Sequence, residues 1–135
     1  VRYTCLNPER PISMVIQGNE HTEWVAEPLF KKKSDFDIFA KYSPGILADL
    51  DQMNKMVDEF GGRGLTRGTV PGFEIYGQPG CWQDMAVLFG VEKLILETFY
   101  DPEWVHTVLK FFCERKLKYV QSLNGSHVDL FELGG

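Results

Sequence analysis

Asp101-Pro102-Glu103 is the strongest local signal in the chain. An Asp at this position accepts hydrogen bonds from the free N–H groups of a first helical turn. Pro has its φ preset for that turn and no N–H to leave unpaired, and Glu meets the positive end of the helix dipole. The spacing predicts a long helix from there to about Asn124, with Val105, Val108, Leu109, Phe112, Val120 and Leu123 on its apolar face. Lys110–Glu114 and Glu114–Lys118 lie one turn apart on the exposed face, each pair adding about a few tenths of a kcal/mol. Upstream, Gln78-Pro79-Gly80 turns the chain into a helix over about 81–89, which Gly90 interrupts. A second helical run over 91–100 carries Val91, Leu94, Ile95, Thr98 and Phe99 on one side. Val70-Pro71 introduces a strand at about 72–77. Residues 127–133 have apolar side chains on both faces, the pattern of a strand covered on both sides in a parallel sheet. Strand, helices, long helix and strand in that order make a βαβ crossover, which narrows the fold to the α/β class.

The stretch before this unit is a lead-in. Residues 1–10 read as irregular. Residues 11–17 have strand character, Gly18-Asn19 is turn chemistry and 22–26 read as the return strand of a β-hairpin that Pro28 ends. Ser34 with Asp37 has capping-box spacing, and a short helix bearing Phe36, Phe39 and Ala40 runs to about Tyr42. Ser43 as cap and Pro44 at the first helical position predict a second helix with a stripe of Ile46, Leu50, Met53, Val57 and Phe60, stopped by Gly61-Gly62. Asp49, Asp51, Lys55, Asp58 and Glu59 fall toward solvent. Residues 63–69 are Gly-rich and basic but lack the Lys-Ser/Thr of a phosphate loop. They read as a flexible loop, or as a loop from which Arg63 or Arg67 reaches an acidic substrate.

The 135 residues fit one domain, and 44% hydrophobic with 24% charged residues is a globular composition. A net charge of −5 argues against nonspecific nucleic-acid binding, which needs a basic face. No run approaches the roughly 18 apolar residues of a membrane span. Cys5, Cys81 and Cys113 are far apart in sequence and form no C-x-x-C. Their odd count, without a secretion signal, points to a reducing, cytoplasmic setting. Cys113, beside Phe111 and Phe112, reads as a buried structural thiol. His21, His106 and His127 share no ligand spacing, and no G-x-S-x-G or Ser-His-Asp order is present, so hydrolase readings have no support. The chain does not begin with Met and stops at the end of the last strand, as a piece of a longer protein would.

Val70-Pro71 before a strand, Gly77-Gln78-Pro79 after it, Gly90-x-Glu92, Asp101-Pro102-Glu103 opening a long helix and Asp129-x-x-Glu132-Leu133-Gly134 in the next strand together resemble the uroporphyrinogen decarboxylase superfamily. That family joins the decarboxylase of haem synthesis with the corrinoid and coenzyme M methyltransferases on a (β/α)8 barrel. The upstream hairpin with Pro28-Leu29 and Ser34-Asp35 is similar to the family's lead-in. The resemblance implies about half of a (β/α)8 TIM barrel over residues 34–135, preceded by the hairpin lead-in over 1–33. It implies a tetrapyrrole carboxylate as substrate. A methyl-corrinoid is the alternative, with zinc in the parent protein if it is a methyltransferase, and a non-catalytic binding or interaction domain is a third. Where the decarboxylases carry a substrate-holding Tyr, Asp84 or Met85 stands here. The decarboxylases' catalytic Asp and Arg find no match in this chain, and the methyltransferases' zinc ligands lie in a later half.

Ligand sites of such barrels lie at the C-terminal strand ends, here 77–84 and 132–135. Glu132 and Asp84 are the candidate catalytic carboxylates; Glu132 in an apolar barrel mouth would have a raised pKa suited to proton transfer, or it pairs with a buried Arg. Asp84 either hydrogen-bonds a ligand or caps the helix. Gln78, Gly80, Trp82, Gln83, Arg67 and Gly134 are the candidate binding residues: glycines for close backbone approach, Trp82 to stack on a flat ring or to pack in the core, and Gln83 to hydrogen-bond. A half barrel leaves open sheet edges, so self-association and no turnover by the chain alone are expected.

Overall fold

Asp101 accepts a hydrogen bond from the Trp104 N–H at 3.2 Å and so starts the longest helix as its sequence context requires. The structure is a computed structural model that describes residues 1–73 and 80–132. Strands β1 (Arg2–Cys5), β2 (Ile12–Gly18) and β3 (Glu23–Glu27) come first, followed by helices α1 (Lys33–Tyr42) and α2 (Leu50–Phe60). Strand β4 (Arg67–Thr69) precedes helices α3 (Cys81–Phe89), α4 (Val91–Tyr100) and α5 (Pro102–Ser122), and strand β5 (Leu130–Glu132) ends the series. The fold is mixed α/β, with five helices and two small sheets among the described residues.

The first sheet is antiparallel in the order β1-β2-β3. The hairpin of β2 and β3 forms as its sequence predicts, with Asn19 Oδ1 accepting from the N–H groups of His21 and Thr22 in the turn. Residues 2–5 are not irregular but pair with β2, Arg2 opposite Val15 and Cys5 opposite Ile12. The turn between them is made by Asn7, whose Oδ1 accepts from the N–H groups of Glu9 and Arg10.

The N-cap of helix α1 is Lys32, not Ser34, and the side chain of Asp35, in the helix's first turn, closes the end. Its Oδ2 accepts from Lys31 N at 2.7 Å and Lys32 N at 3.1 Å, and its other oxygen receives Arg10. Burial alone would raise this carboxyl's pKa. The Arg10 guanidinium and the two backbone N–H groups outweigh it and hold the group below its ordinary value. The same contacts fasten the sheet's first turn to the helical layer.

Helix α2 starts six residues later than Pro44 predicts, with Asp49 as the cap that accepts from Gln52 N at 3.0 Å. The reason is tertiary. The Arg115 guanidinium donates to the carbonyls of Ser43 and Pro44, and Ala48 N donates to Ser122 Oγ at 2.8 Å. These bonds hold the chain extended along α5, and Ile46 leaves the stripe at 59% exposure.

The core lies where α1, α3, α4 and α5 meet. Phe30, Met85, Leu88, Leu94 and Val108 are wholly buried, each contributing roughly 1.5–3 kcal/mol of apolar burial. Phe36, Phe39 and Phe112 pack around them, with Phe30–Phe39 centroids 5.4 Å apart and the rings edge to face. Gly90, at φ 97°, makes the break between α3 and α4, a conformation that favours glycine.

Strands β4 and β5 pair in parallel, Arg67 opposite Leu130 and Thr69 opposite Glu132, so α3, α4 and α5 lie in a crossover between parallel strands. The first of those strands is Arg67–Thr69, within the stretch expected to be a flexible loop. The strand expected over 72–77 falls mainly outside the described residues, and Phe73 lies in a bend. β5 is short, with Leu130 and Glu132 exposed and Phe131 half-buried, and is not covered on both sides. His127 does not begin it; its backbone N–H donates to Asn54 Oδ1 and its ring meets Asp58 at 2.9 Å, tying this loop to α2. No helix among the described residues is long and apolar enough to cross a membrane.

Candidate functional site

The apolar helix α3 and the apolar face of the amphipathic helix α5 carry opposite charges that find each other. Asp84 is in the first turn of α3 and only 1% exposed. Lys116 is on α5, one turn beyond Phe112. The Lys116 ammonium stands 2.7 Å from Asp84 Oδ2 and also donates to the Pro71 carbonyl at 3.0 Å. Asp84 Oδ1 accepts from the Phe73 N–H at 2.7 Å. Two side chains thus join α3, α5 and the segment 71–73, and each satisfies the other's charge where water is scarce.

Beside this pair is a cleft of about 240 Å³ lined by Ser43, Pro44, Ile46, Pro71, Phe73, Asp84, Phe112, Arg115, Lys116 and Tyr119. Its walls are mainly apolar. Arg115 lies with its guanidinium 4.9 Å from the Phe111 ring centre and 5.6 Å from that of Phe39. Burial pulls its pKa below the ordinary value for arginine. The cleft therefore presents aromatic surface, an ammonium, a guanidinium and a buried carboxylate to whatever enters it.

Among the candidate residues named from sequence, Asp84 lines this cleft. It does not cap α3, because both its oxygens are used outside the helix. Glu132 is not in an apolar mouth. Its side chain is 49% exposed and pairs with Arg67 at 3.0 Å, itself 63% exposed. The parallel register explains this, since Arg67 and Glu132 sit at opposite ends of a three-residue ladder and reach along its open face. The structure brings these two together, but neither lines the cleft. Trp82 is 38% exposed, so it is not a core residue, and it does not line the cleft either. Gln83 is half-buried without facing the cleft, and Gly80 is the N-cap of α3. Gln78 and Gly134 lie outside the described residues. Cys113 is exposed, not buried, because its position on α5 is turned away from that of Phe112.

Sequence reasoning passed over Lys116, Arg115 and Tyr119. A signal was available for the first. Phe112, Lys116, Val120 and Leu123 run at helical spacing along the stripe assigned as apolar, and a Lys in such a stripe needs a buried anion. Asp84, the one charged residue of the apolar helix α3, was the complementary half of that signal.

No family model, no curated protein and no solved structure matches this chain. No group of three or more His, Cys, Asp or Glu side chains among the described residues is placed to hold a metal ion.

Proposed function

We propose that this chain is part of a cytoplasmic uroporphyrinogen decarboxylase-like protein and that its cleft takes one carboxylate-bearing arm of a tetrapyrrole. In this reading residues 34–135 are about half of a (β/α)8 barrel and 1–33 are the lead-in. The observation that supports it is the cleft's composition: apolar and aromatic walls around Asp84, with Arg115 and Lys116 at the same rim. Pocket size sets the scale of the ligand part. Typical small-molecule sites are roughly 300–1,000 Å³, so a cleft of about 240 Å³ holds one pyrrole ring with its side chain, not the whole macrocycle. Phe112 and Phe73 would face the ring, and Lys116 and Arg115 would neutralise the carboxylate.

In such a reaction a pyrrole carbon is protonated, the ring becomes cationic and carbon dioxide leaves. A buried carboxylate next to the ring stabilises that cation more than it would in water. Asp84 has this position if the ligand carboxylate draws Lys116 away from it. Proton delivery falls to no residue described here, so the chain by itself would bind without turning over. Among the described residues no further strand pairs with the outer edges of β4 and β5, and such edges fit association with a second copy.

One observation favours a non-catalytic binding domain as the second reading. Both Asp84 oxygens are already engaged, by Phe73 N and Lys116. A methyl-corrinoid has no comparable support.

Equilibrium titration with an octacarboxylated porphyrin, followed by its fluorescence, tests the proposal. Saturable binding that Lys116→Met weakens about tenfold, the worth of one charge-assisted contact, is expected. Absence of saturable binding to the folded chain would refute it.

A further inference from the structure

We propose that this chain pairs with a second copy of itself through α4, in an antiparallel, two-fold arrangement that seats Phe99 and Tyr100 of each copy against the first turn of α4 in the other. One face of α4 is turned inward. Leu94 is wholly buried, Glu97 and Thr98 are half-buried, and the Lys33 ammonium of α1 stands 2.6 Å from the Glu97 carboxylate. At about 100° per residue, the opposite face carries Val91, Glu92, Ile95, Leu96, Phe99 and Tyr100. All six are exposed, Phe99 at 80% and Tyr100 at 79%, and Glu92 is the one charge among them. A surface helix of a monomer turns mainly charged and polar side chains to water, not a face of this kind.

The two ends of this face differ, and each complements the other. At the C-terminal end stand the two aromatic knobs. At the N-terminal end lies a cavity of about 400 Å³ whose walls include Val25, Pro28, Val87, Phe89 and Val91, within the size range of sites that hold a small-molecule ring. A parallel pairing sets knob against knob. A two-fold axis between Ile95 and Leu96 instead brings the knobs of each copy to the cavity of the other, as an isologous interface requires. Across that axis Ile95 meets Leu96 and Val91 meets Tyr100. Glu92 comes beside Phe99, one residue from Tyr100, whose hydroxyl donates to the carboxylate. An aromatic side chain buries about 150–250 Å², so Phe99 and Tyr100 supply roughly 300 Å² per copy. With Val91, Ile95, Leu96 and the cavity wall, the face approaches the roughly 800 Å² per partner of a stable interface. It shares no residue with the cleft or with β4 and β5, so its pairing is independent of what the cleft binds.

Sedimentation equilibrium of the full chain, up to about 100 µM and so above the micromolar weak limit of interfaces near this size, tests the pairing. A species of twice the 15.5 kDa chain mass is expected. Phe99→Ser should weaken it about 30-fold or more, the effect of losing an aromatic hot spot, and Ile95→Lys should leave monomer only. Both positions are exposed, so circular dichroism should show both variants folded. The contact itself is mapped with p-benzoylphenylalanine in place of Phe99, in a mixture of ¹⁴N- and ¹⁵N-labelled chains. Photolysis should give a mixed-isotope link from position 99 to the segment 87–92, which reads the antiparallel register even where the serine or lysine variant unfolds. A chain that stays monomeric throughout, a dimer that a folded Ile95→Lys variant leaves intact, or mixed-isotope links that land on β4 or β5 would each overturn the proposal.

Discussion

The Lys116 ammonium lies 2.7 Å from the Asp84 carboxylate inside the contact between α3 and α5, and each is the charged exception in an otherwise apolar helical face. Such a pair is asymmetric in its energetics. Coulombic attraction roughly offsets the desolvation of two charges, but removing one partner strands the other. Lys116→Met alone is expected to cost about 3–5 kcal/mol. Lys116→Met with Asp84→Leu should recover most of that loss. Urea unfolding of the two variants measures it. Equal destabilisation by the single and the double change would show that the pair is not coupled.

A second buried carboxylate gives the pH dependence. Asp35 has its pKa held below the ordinary value in the folded chain. A depressed folded pKa means that the stabilisation is complete above the unfolded value, near 3.8, and is lost as pH falls through the folded value. Asp35→Asn should therefore lower stability at neutral pH and flatten the acid limb of the stability curve. Melting temperatures from pH 7 down to pH 2 check this (the pH range is about that of the usual carboxylate titration). An unchanged acid limb would exclude Asp35 as a source of it.

Gly68 is required by close approach. A Cβ there would lie 2.5 Å from a Phe131 ring carbon, across the β4–β5 ladder. Gly68→Ala should cost about 1–3 kcal/mol by overpacking, and adding Phe131→Leu should relieve part of it. Chemical denaturation of the single and double variants distinguishes this from a backbone effect, which Phe131→Leu would not relieve.

Removing the cap of α5 should be felt beyond the helix end. Asp101 accepts from Trp104 N and also binds Lys33 of α1 at 2.9 Å. Asp101→Ala is expected to cost about 1–2 kcal/mol as a lost N-cap, measured by thermal unfolding, with Asp101→Asn recovering most of it. An Asp101→Asn variant as weak as Asp101→Ala would shift the importance from the cap to the charge on Lys33.

The elements that local chemistry decides were legible in the sequence. Gly80, Gly90 and Asp101-Pro102 carry their own reasons for starting and stopping α3, α4 and α5, and these helices lie within two residues of where the spacing puts them. The turn at Asn19 is local in the same way. What failed was decided from a distance. Ser43-Pro44 is a good local helix start, but Arg115 claims the carbonyls of both residues. Ser34 is a good cap, but Asp35 has Arg10 as a partner from the turn between β1 and β2. β1 has no alternation of its own and exists because β2 offers it an edge.

The site was half legible for the same reason. Asp84 was recognisable as a charge in an apolar helix, and it does line the cleft. Lys116 was hidden because a hydrophobic stripe is read by its apolar members, and one Lys in it is passed over. Glu132 and Arg67 were assigned separate tasks. Nothing in either strand alone reveals that the two are registered into one exposed ion pair.

The proposed event is entry of a carboxylated tetrapyrrole into the cleft that α5 forms with Pro44, Ile46, Pro71, Phe73 and Asp84. Its most direct test is a two-dimensional ¹H–¹⁵N spectrum of the labelled chain, recorded as an octacarboxylated porphyrin is added. Saturable shifts concentrated at Phe73, Asp84, Phe112, Arg115, Lys116 and Tyr119 are expected. Shifts concentrated instead at Arg67 and Glu132, or none at a porphyrin excess, would contradict it.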